Sequence, residues 1–453
     1  MDFINEEKED LRNLFSRIKR RDFSGNAGQA IKNSSYQLAQ NLIFKFGSLL
    51  FTIVIARMLL PELFGLYSLA LSTILLFAAF SDLGISSALI TYGAKCLGKK
   101  DLAKTKAYTK KLFKWKLNLI AITSLSLLAS AYFISEIYYS KPIFYALLVG
   151  GLYLPIVHLT GFINQIFKTT ENFKIPMIQE IIFQAIRFTL VPLIILFLLN
   201  SDFSTQIIIS ITLLSISLSH FISLLFLGYQ SKRNLKFLKS KKESLSKKDI
   251  KDLKKFIYPL SATAMAGMFF GFIDILMLGH FVDGEFIAYY GAAFSLVGGA
   301  SAIIGFMSIS LMPIFARNSG KVLKNIFRKT RNLITLISIA AGIFTYILAD
   351  LIVRLAYGSE YLPSVEILQI FSILVVILPI LGIYVSYYTS QKKTKILAWL
   401  IVGSAILNII FNYFAITYGL VNYGQMGAVF GAVGATIASR ILYLGGLITW
   451  RRN

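Results

Sequence analysis

Apolar runs of about 20 residues recur along this chain from end to end, and their length constrains the fold more than any other feature. A helix of ~20 apolar residues is long enough to cross ~30 Å of hydrocarbon. Only 15% of the 453 residues are charged, compared with roughly a quarter in a soluble domain. The sequence therefore predicts an all-α polytopic membrane protein.

Twelve transmembrane helices are predicted, and the charged residues between them set their orientation. Their approximate bounds are 36–60, 64–94, 115–137, 142–166, 176–199, 206–228, 257–280, 285–315, 332–354, 361–389, 396–419 and 425–449. Forty of the 46 Lys and Arg residues lie on one side of these spans, and three lie on the other. This bias predicts a multi-pass protein of the cell membrane with both termini in the cytoplasm. It also explains the net charge of +24 without a nucleic-acid partner.

The longest basic loop divides the chain into two sets of six helices. We expect a cytoplasmic amphipathic N-terminal segment (1–35), an N-lobe with helices 1–6 (36–228), a basic cytoplasmic linker (229–256) and a C-lobe with helices 7–12 (257–453). A disordered basic tail is the alternative for residues 1–35, which lack the apolar core of a cleavable signal peptide. "FGLYSLAL" (64–71) resembles "IAYYGAAF" (287–294), which favours two pseudo-symmetric lobes inserted the same way round, with the site between them. The single cysteine excludes an internal disulfide.

Polar residues recur at helical spacing inside three spans of the N-lobe. The stripes are Asn41, Lys45, Ser48 and Thr52 on helix one; His158, Gly161, Gln165 and Lys168 on helix four; and Glu180, Gln184 and Arg187 on helix five. Intramembrane ionisable residues usually face the bundle interior and mark functional sites. The candidate substrate-binding residues are Lys45, Arg57, His158, Gln165, Gln184 and Arg187, whose cations would meet an anionic diphosphate. The alternatives are snorkelling of Lys45 and Arg57, an Arg187–Glu180 ion pair, and an interhelical hydrogen bond from His158.

The C-lobe has a different group of polar residues. Asp274 is the only acid within helix seven, and Asn408 and Asn412 lie four residues apart on one face of helix eleven. A carboxylate with two amide oxygens suits a hard cation such as Na⁺, and a buried carboxylate alone suits a proton. Interhelical hydrogen bonding by the same groups is the alternative.

Several motifs in a fixed order resemble one family over essentially residues 30–450. They are "ARMLLPELFGLYSLALS" (56–72), "DLGISSALI" (82–90), "YPLSATAMAGMFFGFIDILMLGHF", "YYGAAFSL" with "SLMPIFAR", and "ILNIIFNYFAITYG" followed by "GAVFGAVGATIAS". These stretches resemble the polysaccharide-transport (Wzx-like) branch of the multidrug/oligosaccharidyl-lipid/polysaccharide exporter superfamily. The resemblance implies a V-shaped bundle of two six-helix lobes. A further resemblance to the superfamily's lipid II flippases implies an ion site at Asp274, Asn408, Asn412 and Thr436, with Asn412 replacing a second carboxylate.

The sequence thus favours a flippase that moves a lipid-diphosphate-linked oligosaccharide from the cytoplasmic to the outer leaflet by alternating access. We expect no enzymatic activity, no bound metal and no cofactor other than a coupling Na⁺ or H⁺. The expected partners are the lipid-linked sugar, membrane lipids and glycan polymerase or ligase machinery. The alternatives are an ion-coupled multidrug or small-molecule exporter and a membrane enzyme of lipid-linked glycan assembly. Basic N-lobe stripes argue against the first alternative, and short outer loops argue against the second.

Overall fold

Helices account for almost all of the described chain, and their order follows the apolar runs. The computed structural model describes residues 25–241 and 243–452, and no strand occurs among them. The helices are α1 (Gly25–Ala78), α2 (Ile85–Gly98), α3 (Leu102–Tyr132), α4 (Phe144–Thr169), α5 (Lys174–Leu199), α6 (Thr205–Asn234), α7 (Lys247–Phe281), α8 (Gly284–Ser310), α9 (Met312–Arg317), α10 (Gly320–Ile347), α11 (Ala349–Ala356), α12 (Ser364–Ser390) and α13 (Thr394–Arg452). A π-helical turn, Phe133–Tyr139, extends α3, and 3₁₀ turns occupy Ala79–Ser81, Lys236–Lys239 and Ser359–Tyr361.

Ten helical segments of the described residues are long and apolar enough to cross a membrane. Two of them, in α1 and α13, are about twice the length of a crossing, and each contains a non-helical residue, at Leu60 and Gly424 respectively. Leu60 precedes Pro61, whose ring disfavours helical backbone at the residue before it. Each of these two helices therefore supplies two crossings, and the described chain has the twelve spans that were predicted.

Hydrogen bonds between distant connections identify the two ends of the bundle. One end, which we call the basic end, contains the connections 99–101, 170–173, 235–246, 318–319 and 391–393. The other, which we call the opposite end, contains the connections 140–143, 200–204, 282–283 and 357–363. At the basic end, the Lys106 ammonium donates to the Ser240 carbonyl at 2.5 Å. At the opposite end, the His280 ring nitrogen Nδ1 lies 2.7 Å from the Tyr138 carbonyl oxygen. The cytoplasmic location of the basic end stays a prediction.

Several helices extend further at the basic end than the apolar pattern predicts. The helix α1 begins at Gly25, inside the segment predicted to lie on the membrane surface, while residues 1–24 lie outside the described residues. The helix α3 begins at Leu102 instead of 115, and α7 begins at Lys247 within the predicted linker. The added turns of α3 and α7 are lysine-rich and have good helix propensity, so these helices continue beyond the apolar part that hydropathy detects. The added turns of α1 are polar and contain one lysine.

The second predicted span is interrupted inside the bundle. A 3₁₀ turn ends at Ser81, and Leu83 and Gly84 then have φ angles of +43° and +83° before α2 begins. Glycine adopts such positive φ angles with little cost. A Cβ at Gly84 would also lie 2.9 Å from the Cβ of Leu260 on α7, so the break is in close contact with the other half of the chain.

The helices α1–α6 form the N-lobe and α7–α13 form the C-lobe, with α1 packed against α7 and α8 across the interface. At the opposite end the two lobes approach at backbone distance, because a Cβ on Gly65 would collide with the backbone of Gly284. The Glu62 carboxylate also accepts a hydrogen bond from the Glu285 N–H at 3.0 Å. This end of the interface is closed.

The first turns of α7 are held by the N-lobe. Its capping box forms between Ser246 and Asp249. The Asp249 carboxylate lies 3.1 Å from the Lys104 ammonium and accepts a hydrogen bond from the Tyr108 hydroxyl at 3.0 Å. Proline at 259, inside the helix, cannot donate the usual backbone hydrogen bond. The helix therefore has a weak point between its N-lobe anchor and its C-lobe part.

Candidate functional site

Three polar side chains on α5 form a hydrogen-bonded chain inside the N-lobe. The Gln184 amide donates to the Glu180 carboxylate at 2.8 Å, and the Arg187 guanidinium donates to the Gln184 amide oxygen at 2.6 Å. Each of the three side chains is less than 9% exposed. Their spacing of four and three residues places them on one face, as predicted, and that face points into the protein.

Arg187 reaches a mostly aromatic environment. Its guanidinium lies 4.0 Å from the ring centre of Phe51 on α1 and 4.8 Å from that of Phe183. Its Nε is buried without a hydrogen-bond partner. The Gln184 amide bridges Arg187 and Glu180, so these two side chains are linked through an amide and do not form the direct ion pair named as the alternative. A buried cation with an unused N–H donor is suited to bind an anionic oxygen, which would accept the hydrogen bond.

Lys45 lies on a different face of α1. Together with Ser48 and Thr52 it lines a groove of about 270 Å³ between α1 and α8, opposite Ser295 and Gly298. Gly47 and Phe51, on another face of α1, contact Gln184 and Arg187 instead. The structure thus places Lys45 at the lobe interface and Arg187 within the N-lobe, and it does not bring the two cations together.

His158 belongs to a separate cluster that includes Lys116, a cation that the sequence analysis did not select as a site residue. The Lys116 ammonium lies 2.6 Å from the Asp82 carboxylate and 3.3 Å from Nδ1 of His158. The Lys116 side chain is only 2% exposed, and Ser86 donates a further hydrogen bond to Asp82 at 2.7 Å. The helix begins at Leu102, so Lys116 lies more than three turns inside it. A start of helix three at this residue, had it been predicted, would have indicated that Lys116 is buried.

Gln165 lies near a polar cavity at the basic end. Its amide oxygen is buried without a partner, one turn before Lys168 and Thr169. Those two residues line a cavity of about 630 Å³ together with Gln29, Asn33, Ser34, Gln37, Ala94, Glu171 and Phe173. The sequence analysis missed this cavity because α1 extends before residue 36. Amides and hydroxyls dominate its lining, which suits a hydroxyl-rich ligand.

Arg57 lies at the opposite end and connects the two lobes. Its guanidinium donates to the carbonyls of Ala356 at 2.7 Å and Leu355 at 2.6 Å, at the C-terminus of α11. Four carbonyls at a helix C-terminus lack intrahelical partners, and a cation there is stabilised by the helix dipole. Close by, the Tyr361 hydroxyl donates to the Ala56 carbonyl at 2.9 Å. Arg57 is thus placed in an inter-lobe contact, away from the other candidate substrate-binding residues.

A hydrogen bond within the C-lobe lies next to this contact, at Tyr357, which follows α11. Its hydroxyl lies 2.6 Å from the Ser295 hydroxyl on α8. Burial raises the pKa of Tyr357 to about 12, so the hydroxyl stays protonated at neutral pH and keeps this hydrogen bond. The bond holds the residue after α11 against α8, beside the carbonyls that Arg57 binds.

Asp274 on α7 is buried in the C-lobe together with both predicted asparagines. Its Oδ1 accepts hydrogen bonds from the Asn412 amide at 2.6 Å and, more weakly, from the Asn408 amide at 3.4 Å. Asn408 also donates to the Ser439 hydroxyl at 3.2 Å. All three predicted side chains are less than 4% exposed. The structure thus shows the interhelical hydrogen bonding that the sequence analysis named as the alternative, and an ion site at these residues stays a prediction.

This cluster is rich in oxygen. The side-chain oxygens of Asn408 and Asn412 are buried without partners, and Thr436 lies 3.1 Å from the Tyr290 hydroxyl beside them. One carboxylate, two amides and a hydroxyl fit a monovalent hard cation if the amides turn their oxygens inward. Among the described residues, no group of three or more His, Cys, Asp or Glu could hold a metal ion.

Arg440 is a cation in the C-lobe that the sequence analysis did not use. It lies four residues after Thr436 on α13, and its guanidinium stacks 3.4 Å from the ring centre of Phe270. It also donates to the Phe270 carbonyl at 2.8 Å, while its Nε is buried without a partner. Its guanidinium is a positive charge in the same part of the C-lobe as Asp274.

Comparison with known proteins places this geometry in a family. A family model described as "Polysaccharide biosynthesis protein" matches residues 30–319, and the MatE model matches residues 259–414. No curated protein matches the sequence significantly.

Solved structures show the same fold at low sequence identity. An inward-facing multidrug resistance MATE family transporter of the MOP superfamily aligns with a TM-score of 0.68 at 15% identity, covering 91% of this chain and 96% of that chain. The lipid II flippase MurJ in an inward closed conformation aligns with a TM-score of 0.65 at 15% identity, covering 93% and 88%. A MOP superfamily transporter from Pyrococcus furiosus, described as having a binding pocket of reversed polarity, aligns with a TM-score of 0.56 at 14% identity, covering 93% and 95%. The family match over residues 30–319, more than half of the chain, shows that the chain belongs to the polysaccharide biosynthesis protein family, and the solved structures show its fold.

Proposed function

We propose that this protein moves a lipid-diphosphate-linked oligosaccharide from the cytoplasmic to the outer leaflet of the cell membrane by alternating access. The observation that carries the proposal is Arg187, a buried cation whose Nε has no partner and which reaches Glu180 only through Gln184. A diphosphate oxygen would satisfy both its charge and its free donor. Family membership supports a sugar-linked substrate.

The polar cavity at the basic end supports a hydroxyl-rich headgroup. A sugar hydroxyl that leaves water without a new partner costs about 2–7 kcal/mol, so a path for sugars must offer many polar groups. The cavity of about 630 Å³ offers amides and hydroxyls from α1 and α4, and its Lys168 and Glu171 balance in charge. Headgroups would therefore enter from the basic end, which we place in the cytoplasm, next to the enzymes that assemble them.

Asp274 is the proposed site of ion coupling. Its carboxylate is enclosed by Asn408, Asn412 and Thr436, whose oxygens could take a sodium ion, and a proton on the carboxylate is the simpler alternative. Either cation would change the charge of a group buried beside Arg440. The energy of the ion gradient would then reach the lobe interface through α7.

A multidrug exporter is the second candidate, because MATE transporters share the fold. Cationic drugs favour acidic cavities, however, and Arg187 places a positive charge inside the N-lobe. A membrane enzyme is not favoured, since the connections at the opposite end are short. Polymerases or ligases of glycan assembly would then be partners that receive the flipped lipid.

Flipping of a fluorescent lipid-diphosphate oligosaccharide in proteoliposomes tests the proposal. We expect wild-type protein to expose the lipid to an impermeant quencher. Arg187→Gln should slow this at least about tenfold, since a charge-assisted hydrogen bond contributes about 1.5–3 kcal/mol. Asp274→Asn should flip the lipid at a rate that no longer responds to a sodium or proton gradient.

The matched control is Arg354→Gln, which removes an exposed arginine paired with Asp350 on α11. It should leave flipping unchanged. Transport of a cationic dye by the wild-type protein, without flipping of the anionic lipid, would favour the exporter. Equal flipping by Arg187→Gln and wild type, with both folded, would overturn the role of Arg187.

A further inference from the structure

An apolar groove on the membrane-facing surface is built by both lobes. It lies between α2, α3 and α7 and has a volume of about 430 Å³. The N-lobe contributes Leu83, Ile85, Trp115, Asn118 and Leu119, and the C-lobe contributes Lys254, Ile257, Tyr258 and Ser261. Beside it, the Ser261 hydroxyl donates to the Leu83 carbonyl at 2.9 Å, so the two lobes are bonded directly where the groove forms.

The position of the groove determines what can fill it. Its residues lie in the half of the bundle nearer the basic end, and Tyr258 is 83% exposed on the surface that faces lipid. Tryptophan and tyrosine are enriched where hydrocarbon meets the headgroups. A groove with these residues at its rim and aliphatic side chains within it would accommodate an acyl chain.

Charge complementarity selects the headgroup. Lys254 is the charged residue among those that line the groove, and no carboxylate is among them. Lys251, Lys255 and, on α3, Lys114 are exposed close by in sequence. Basic pockets between transmembrane helices bind anionic lipid headgroups.

We infer that one anionic phospholipid, from the leaflet at the basic end, occupies the groove with an acyl chain along Leu119 and Ile257 and its phosphate at Lys254. The bound lipid contacts both lobes and therefore favours the arrangement in which Ser261 and Leu83 are bonded. This inference concerns a membrane lipid, not the transported one, and it does not depend on the proposed function.

Quenching of Trp115 by brominated lipids tests the inference directly. The chain has three tryptophans, so Trp399→Phe and Trp450→Phe leave Trp115 as the only one. This variant is reconstituted into phosphatidylcholine vesicles that contain brominated phosphatidylglycerol or brominated phosphatidylcholine. We expect the anionic lipid to bind at Trp115 about fivefold more tightly, which corresponds to about 1 kcal/mol for one lysine near the surface.

Two charge variants separate a specific site from a generally basic surface. Lys254→Gln should abolish the preference for the anionic lipid, whereas Lys114→Gln, next to Trp115 but outside the groove, should retain it. Leu119→Phe, made in the variant that keeps only Trp115, should reduce quenching of Trp115 by brominated chains, because the larger side chain fills the groove. Equal quenching by both lipids in the parent variant, or equal loss with Lys254→Gln and Lys114→Gln, would overturn the inference.

Discussion

Arg57, Lys116 and Arg187 are all cations near or within apolar runs, yet each has a different environment. Helical spacing predicted that Glu180, Gln184 and Arg187 share a buried face, because spacing alone fixes position around a helix. It could not predict that Arg57 binds a carbonyl 299 residues away, since that partner is determined by the packing of the lobes.

The Asp82–Lys116 pair leads to a prediction about stability. The Lys116 side chain is 2% exposed and that of Asp82 is 33% exposed. Removing Asp82 leaves a buried unpaired cation, which costs more than the partly exposed unpaired carboxylate left when Lys116 is removed. Asp82→Leu should lower the free energy of unfolding by about 3–5 kcal/mol, and Lys116→Met by clearly less. Unfolding by SDS in mixed micelles measures both.

The double variant Asp82→Leu with Lys116→Met is the control for this pair. Because neither charge is then buried alone, its stability should return to within about 1–2 kcal/mol of wild type. Additive losses in the double variant would show that the two side chains do not interact. His158 and Ser86, which touch the pair, are unchanged in all three variants.

At the scale of elements, the twelve spans follow from the lengths of the apolar runs, whereas the interruption of the second span does not. The structure shows a helix break at Gly84, within the predicted second span of 64–94. The contact of this break with Leu260 depends on how α7 lies against the N-lobe, which hydropathy does not specify. Similarly, the starts of α3 and α7 were missed because their lysine-rich turns are helical without being apolar, and the start of α1 was missed because its first turns are polar.

Gly84→Ala tests the strain at this break. Its φ of +83° is unfavourable for alanine, and the new methyl group would press on Leu260, so we expect a loss of about 1–2 kcal/mol in the free energy of unfolding. Gly98→Ala on α2 is the matched control, because nothing lies within 4 Å of a Cβ there. Gly98→Ala should be neutral or slightly stabilising, and a similar loss in both variants would contradict this explanation.

At the scale of the whole molecule, a bundle of two six-helix lobes was implied by family resemblance, and the fold is confirmed by the solved structures. The groups that close this end were not foreseen. Arg57 binds the carbonyl of Leu355 on α11, and Tyr361 binds the carbonyl of Ala56, so both connect α1, just before its kink at Leu60, to the α11 region. Glu62, just after the kink, binds the N–H of Glu285 at the start of α8. These bonds must break if the opposite end opens.

Arg57→Ala should therefore shift the protein toward an open opposite end. Spin labels at Asp202→Cys and Asn422→Cys, in a Cys96→Ser background, report the distance between the lobes there. We expect the ratio of open to closed molecules to rise about fivefold, the equivalent of ~1 kcal/mol for exposed charge-assisted hydrogen bonds. Arg354→Ala, which breaks only an exposed pair with Asp350, should leave the distance distribution unchanged. An identical distribution in all three proteins would show that Arg57 does not hold the end closed.

The clamped start of α7 has a mechanical consequence. Asp249 fastens the helix to one lobe through Lys104 and Tyr108, while Asp274, about seven turns further along, is embedded in the other. Rotation of one lobe relative to the other would bend α7. The helix bends most easily at Pro259, which cannot donate the usual backbone hydrogen bond. Under the proposed function, a cation that binds Asp274 would change the force on the C-lobe part of α7, and the helix would bend at Pro259, between the two lobes.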